Sequence, residues 1–326
     1  MKNSYVKCND SEINIWSNPQ VVLALGIPQM IINLVAMTVN GSVIITIVSS
    51  RNLHRPIFIL FCNLALSDLL VSSSGFWISL LFIKDPEHTI FGSKELLHAY
   101  TLYGLSILSA IYNLVSIGIE RYLAVRGSLR LQCRVSKKQV LSAAVANWAV
   151  SIVFGCLPLM GWNCLKKERR GSMSTLYSPF CIDYLIFLTV PNFAVVLFLP
   201  LFSYIGIIVI LKKQKSILGK SGQLLATYKA AEIQVVKTCV FIWALTMLSY
   251  TPFLGGVMWD AAHTSCPEDL QANVFVFRNL TAMMIVLNSL GNPIIYTLKF
   301  KTLGNNLMFL KCQSSHRIEV QTVQNV

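Results

Sequence analysis

Charge is what this chain has least of. Only 13% of its 326 residues are charged while 54% are hydrophobic, and a soluble domain has about a quarter of its residues charged. A water-soluble fold is excluded by that balance. The chain also lacks internal repeats, low-complexity tracts and any loop long enough to form a second domain. Without two matching halves that carry interrupted helices, a transporter is disfavoured. Asp68 has no second acid or histidine at the same depth, which argues against an intramembrane enzyme. The first 20 residues carry Lys2, Lys7, Asp10 and Glu12 and lack the apolar core and small-residue cleavage site of a signal peptide, so no cleaved signal is expected.

What is abundant is long apolar sequence. Seven runs lie near 21–49, 56–83, 97–123, 139–162, 182–211, 232–259 and 271–298, each of about the 20 residues needed to cross a bilayer. Backbone polar groups in hydrocarbon must pair within their own segment, so each run is predicted to be a helix. The expected fold is all-α, a seven-transmembrane helix bundle over 21–298. An N-terminal segment, 1–20, precedes it. A short amphipathic helix, 299–311, and a tail, 312–326, follow. Arg and Lys concentrate after spans 1, 3, 5 and 7 (Arg51 and Arg55; Arg126 to Lys138; Lys212 to Lys229; Lys299 to Arg317). By the positive-inside rule these segments are cytoplasmic, which puts the N-terminus outside and the C-terminus inside, at the plasma membrane. The formal charge of +13 is then a topology signal with some attraction to anionic membrane lipids, and no nucleic-acid partner is implied. One exterior loop, residues 166–170, is basic; it reads either as a solvated face or as a lure for an anionic ligand.

Polar residues inside the spans are costly and therefore informative. Asn40 lies in span 1, Asp68 in span 2, Asn113 in span 3, and Asn288, Ser289 and Asn292 in span 7. Glu120-Arg121-Tyr122 closes span 3, and Asn292-Pro293-Ile294-Ile295-Tyr296 closes span 7. Prolines 158, 191, 200, 252 and 293 interrupt hydrogen-bond ladders and mark kinks.

Asn40, the Leu-Ala-Leu-Ser-Asp run ending at Asp68, Glu120-Arg121-Tyr122, Trp148, Pro252 and Asn-Pro-x-x-Tyr follow one another in register. This set resembles the rhodopsin-like G-protein-coupled receptors over residues 21–311. The resemblance implies a receptor, not an enzyme, that passes an extracellular signal to a heterotrimeric G protein, with arrestin as a further partner. It implies that Arg121 pairs with Glu120 and Glu232 at rest, that span 6 swings about Pro252, and that Tyr204 and Tyr296 stabilise the open form. It also implies a buried sodium and water cluster at Asn40, Asp68, Asn288, Ser289 and Asn292. Ala110 stands where the family often has serine, and Ser106 one turn above is the substitute. Tyr250 replaces the family's usual tryptophan before Pro252. No span-7 lysine is available for a retinal Schiff base, since Val286 occupies its place, and Tyr103 occupies the place of the amine receptors' acid.

Within the family, the end of span 4 (Leu157 to Cys164) and span 7 resemble the lysophospholipid receptors, with cannabinoid and melanocortin receptors as relatives. The pair that lysophospholipid receptors present from upper span 3 is Ala99-Tyr100 here. Four of the nine cysteines, Cys8, Cys164, Cys181 and Cys266, face outward by topology, which allows three pairings; the branch resemblance favours Cys164–Cys181. Cys312 is a palmitoylation candidate, and Asn9 heads a glycosylation acceptor. Leu97, Ala99, Tyr100, Tyr103, Phe187, Phe253, Trp259 and Phe275 read as the lining of an upper pocket, with Lys94, His98 and Arg278 at its mouth. A small amphiphilic ligand, anionic or neutral, fits that lining. A peptide ligand is the second reading, and a receptor-fold scavenger or dimer partner the third.

Overall fold

The computed structural model describes residues 18–127, 135–165, 177–217, 223–263 and 271–299, with side-chain surroundings for all but 127, 211–217, 223–232, 234, 235, 296 and 299. Asn9, Cys8, Cys266, Cys312, the basic loop 166–170 and the stretch 300–326 lie outside the described residues, as do the side chains of Glu232 and Tyr296. The described chain is helical: α1 Pro19–Ser49, α2 Pro56–Lys84, a short α3 Pro86–Phe91, α4 Lys94–Gly127, α5 Lys137–Gly155, α6 Ile182–Ile217, α7 Gln223–Ala262 and α8 Ala272–Lys299. Spans 1 to 7 are α1, α2, α4, α5, α6, α7 and α8. Six of them are long and apolar enough to cross a membrane unaided; the 19-residue α5 completes the bundle against α4 and α2.

Local chemistry sets the ends. Asn18 caps α1 by accepting from the Gln20 amide, ahead of Pro19 in the first turn, and Ser136 and Gln139 form a capping box on α5. Asp85 caps α3 by accepting from His88 N–H at 3.0 Å. That amide, and then the imidazole, hold the exposed Asp85 carboxyl below the usual carboxylate range.

Span 4 is shorter than its apolar run. The helix stops at Gly155, and residues 156–161 form turns in which Trp162 N–H returns to the Leu157 carbonyl at 3.2 Å. Pro158 has no N–H to continue the ladder, and Gly161 takes φ 114, open to glycine alone at little cost. Pro158 is thus a helix stop rather than a kink. Pro28, Pro191, Pro200, Pro252 and Pro293 do lie within helices. α6 and α7 both outrun the hydrocarbon: the 40 residues of α7 span roughly 60 Å against a core of about 30 Å.

The packing is inverted relative to a soluble protein. Ile31, Val48, Phe198, Phe202 and Leu248 are among many large apolar side chains on the outside, while Asn40, Asp68, Ser72, Ser109, Asn113 and Ser289 are buried. The helices are close where glycine permits it. A Cβ added to Gly155 of α5 would lie 2.5 Å from Leu105 Cβ and 2.9 Å from its Cα, so backbone would have to move, whereas one added to Gly41 of α1 would meet nothing within 4 Å. Gly155→Val should lower thermal stability in lipid discs by about 1–3 kcal/mol, and Gly41→Ala should leave it unchanged or raised. Equal midpoints for the two variants would contradict the close α4–α5 contact.

Candidate functional site

The end of the bundle that carries α3 is closed by the segment before α6. Cys164 and Cys181 are joined by a disulfide across a sequence separation of 17, with Cα atoms 5.2 Å apart. Asn163 and Phe180 form an antiparallel bridge beside it, and Cys164 N–H donates to the Pro179 carbonyl at 3.0 Å. A Cβ on Gly92 would meet Pro179 Cβ at 2.7 Å, so the link between α3 and α4 lies directly on this segment. From the segment Tyr177 reaches into the bundle, its hydroxyl 3.0 Å from Thr281 Oγ1 and its ring 4.8 Å from that of Phe253.

Beneath lies a cavity of about 130 Å³ whose wall is drawn from α1, α2, α3, α4, α6, α7, α8 and the closing segment. Leu108, Ile111, Leu188, Val196, Phe253, Phe275 and Ile285 make most of it apolar. Its charged member is Arg278, 6% exposed. One guanidinium nitrogen, Nη2, donates to the Tyr100 hydroxyl at 2.6 Å and to the Thr89 carbonyl at 3.4 Å, and the guanidinium carbon stands 6.0 Å from the centre of the Tyr100 ring. The other, Nη1, is buried and has no partner among the described residues. Asn33 Oδ1 and the Tyr103 hydroxyl, on the same wall, are unpaired as well. Polar atoms in so apolar a space normally find partners, and the three are groups that a polar ligand in the cavity could engage.

Below the cavity the bundle narrows to a polar core. Asn292 Nδ2 donates to Asp68 Oδ2 at 2.9 Å, and Ser289 stands close to the same carboxylate. Asn40 ties α1 to α8 by donating to the Ser289 carbonyl at 3.0 Å. Thr246 of α7 donates to Asn288 Oδ1 at 3.3 Å. Asn292 Oδ1 is buried and has no partner among the described residues; with the Asp68 carboxylate and the Ser289 hydroxyl beside it, it forms an all-oxygen set of the kind a hard cation takes. Ser106 turns elsewhere, donating to the Leu102 carbonyl of its own helix at 2.7 Å. The hydroxyl pair in this region is Ser67–Ser109, 2.9 Å apart, which sequence reasoning missed. Tyr250 and Ile111 line both the upper cavity and a small pocket bounded by Thr246, Asn288 and Asn292. They are the partition between the two levels.

At the far end of α4, Arg121 donates to both carboxylate oxygens of Glu120, with Nη2 to Oε1 at 2.6 Å, and both residues are buried. Tyr122 packs its ring on Gly206 of α6, where a Cβ would come within 2.7 Å of it. Tyr204 is buried with its ring against Trp243, 6.4 Å between centres. Pro252 interrupts α7 between Tyr250 and Phe253, and Pro293 interrupts α8 beside Asn292.

Of the residues read from sequence as a ligand pocket, the cavity gathers Tyr100, Tyr103, Phe253, Phe275 and Arg278. His98, Phe187 and Trp259 do not line it. Phe187 is 43% exposed, packed on Phe154 and Trp162 at the α5–α6 surface. Trp259 is 53% exposed and stacks on His263. His98 is exposed and donates to the Lys94 carbonyl at 2.6 Å. In helices that are apolar all round, the pattern leaves rotational phase undetermined, and these three fall on outer faces. Gln29, Asn33 and Asn279 were missed. Gln29 and Asn33 are spaced i, i+4 in an otherwise apolar run, which places both on one helix face and was a usable signal. Asp260, buried at the cavity end of α7, was missed too.

Residues 39–296 match the family model described as 7 transmembrane receptor (rhodopsin family). The rat lysophosphatidic acid receptor 3 is 25% identical over 96% of this chain and 85% of its own length. The Xenopus laevis lysophosphatidic acid receptor 1-B is 29% identical over 96% and 81%, and the human lysophosphatidic acid receptor 1 is 27% identical over 91% and 78%. The crystal structure of squid rhodopsin superposes with a TM-score of 0.70 at 20% identity, covering 89% of this chain and 85% of that one.

A loop of the size closed by Cys164 and Cys181 is worth roughly 3 kcal/mol by chain entropy. Cys164→Ser and Cys181→Ser should each reduce surface delivery, and the double variant should be no worse than either. Additive losses in a surface-labelling assay would mean that the two sulfurs do not act as one bond.

Proposed function

The chain belongs to the rhodopsin family of seven-transmembrane receptors, and from that premise we propose that it is a lipid receptor whose ligand presents an anionic group to Arg278 and an acyl chain to the cavity. One observation carries this reading. A buried guanidinium has half of its fork unengaged inside a wall that is mostly apolar and holds no other charged side chain among the described residues. A phosphate or carboxylate would supply the missing acceptor with a charge-assisted bond. The relatives named as lysophosphatidic acid receptors support the same ligand class, a single acyl chain on a phosphate head. Because Ala99-Tyr100 stands in upper α4, Arg278 of α8 takes the charge, with the Tyr100 hydroxyl steadying it.

The disulfide end faces outward in this reading and the Arg121 end faces the cytoplasm, as the distribution of Lys and Arg requires. An occupied cavity pushes on its floor at Tyr250, two residues before Pro252, where α7 lacks a ladder hydrogen bond and bends most easily. Movement of α7 alters the Thr246–Asn288 contact and so reaches the core around Asp68. A sodium ion held by Asp68, Ser289 and Asn292 would favour the resting arrangement. At the inner end Arg121 is held by Glu120, and in this reading Glu232 of α7 is assigned as its second resting partner. Release of Glu232 frees α7 to swing out, with Tyr204 and Tyr296 lining the opening that a heterotrimeric G protein enters; arrestin would use the same face.

A G-protein activation assay at matched surface expression checks this. Monoacyl glycerophosphates should activate the wild type. Arg278→Ala should lower their potency at least about tenfold, the worth of a hydrogen bond to a charged group, and Arg278→Lys should restore part of it. Selective activation by a cationic peptide, unaffected by Arg278→Ala, would contradict the lipid reading. In the same assay Glu232→Ala should raise ligand-independent signalling, and Arg121→Ala should reduce coupling without loss of surface protein. Unchanged basal output from Glu232→Ala would remove the lock.

A further inference from the structure

Three side-chain amides run along the boundary between α1 and α8. Asn279 Nδ2 donates to the Phe275 carbonyl at 2.9 Å, Gln29 Nε2 to Asn279 Oδ1 at 2.9 Å, and Asn33 Nδ2 to the Gln29 carbonyl at 2.9 Å. The Gln29–Asn279 bond joins α1 to α8, and the Gln29 main-chain carbonyl orients the Asn33 amide one turn on, leaving one unused acceptor. Asn33 is 1% exposed, and its Oδ1 has no partner. The room for that oxygen is made by Gly75 of α2, where a Cβ would lie only 2.5 Å from it. Both residues line the cavity. A buried acceptor left unpaired is destabilising, so the site is completed by whatever donor enters.

Its position is tied to Arg278. Asn279 follows Arg278 in α8, Gln29 bonds Asn279, and Asn33 lies one turn beyond Gln29 on α1. An available cationic donor, Arg278 Nη1, and an available acceptor, Asn33 Oδ1, therefore belong to the wall of one cavity. An anion satisfies the first and cannot satisfy the second, because an anionic oxygen only accepts.

We infer that Asn33, with Gly75, forms a second polar subsite that takes a hydrogen-bond donor, a hydroxyl or amide N–H, carried by the ligand close to its anionic group. The inference rests on the lipid reading above and narrows it. A monoacyl glycerophosphate with its free glycerol hydroxyl fits both points; a fatty acid, or a phosphate lipid without that hydroxyl, fits one. The Gln29 main-chain carbonyl holds the Asn33 amide in place, and the Gln29–Asn279 bond fixes α1 against α8 at that level.

The test uses two probes, a 1-acyl glycerophosphate and its 2-deoxy analogue, in the G-protein assay at matched surface expression. Wild type should favour the hydroxyl probe by about tenfold, the worth of one buried hydrogen bond. Asn33→Leu removes the acceptor with little change of volume, and Gly75→Ala displaces it while leaving Asn33 intact. Each should erase the preference by weakening the hydroxyl probe alone, whereas Arg278→Ala should weaken both probes. Equal loss of both probes in Asn33→Leu and Gly75→Ala, or no preference in the wild type, would overturn the subsite and leave the Arg278 reading standing. A wild type silent to both probes would overturn the lipid reading and the subsite with it.

Discussion

The bilayer core offers no water to a polar group, and nearly every feature of this bundle follows from that constraint. Backbone groups are paired by making every crossing segment a helix. Polar side chains are paired by tying one helix to another: Asn113 to the Leu60 carbonyl, Trp148 to Asn63, Trp243 to the Val196 carbonyl, Asn40 to the Ser289 carbonyl and Gln29 to Asn279. Hydrocarbon gives little apolar drive for helices to associate, so such bonds and the close glycine contacts at Gly155 and Gly206 hold the bundle. Against this background the unpaired atoms stand out. Among the described residues three of them line the upper cavity, and Asn292 Oδ1 stands beside Asp68.

The two levels are joined by few residues. Tyr250 and Ile111 separate the cavity from the polar pocket below, and Thr246, one turn before Tyr250 on α7, bonds Asn288 on α8. In the proposed mechanism a ligand that shifts α7 at Pro252 would change the core without touching it. The phenol of Tyr250 is smaller than the family's usual indole and carries a hydroxyl between an apolar and a polar compartment. That puts a hydrogen-bonding group at the floor of this receptor.

Much of the architecture was legible in the residues. The seven runs, the buried Asn40, Asp68 and Asn292, the Glu120–Arg121 neighbours and the Cys164–Cys181 pair all stand where composition or family resemblance put them. The end of α5 was not legible from hydropathy, because apolar residues continue through the turns after Gly155 and only Pro158 and Gly161 mark the stop. Cavity lining was half legible. Tyr100, Tyr103, Phe253 and Arg278 face inward, but Phe187 and Trp259 face out, since an aromatic ring suits lipid as well as a pocket. Asn33 escaped notice because its importance lies in what it fails to bond, which only the surrounding Gln29, Asn279 and Gly75 reveal.

The account stands or falls on where a bound anion sits. A structure of the receptor in lipid discs with a monoacyl glycerophosphate bound measures this directly. A phosphate oxygen should lie about 2.7–2.9 Å from Arg278 Nη1, with the acyl chain beneath it between α4, α6, α7 and α8. A phosphate held at the rim by Lys94 or the exposed His98, with the cavity empty or the lipid against the outer face, would contradict the account.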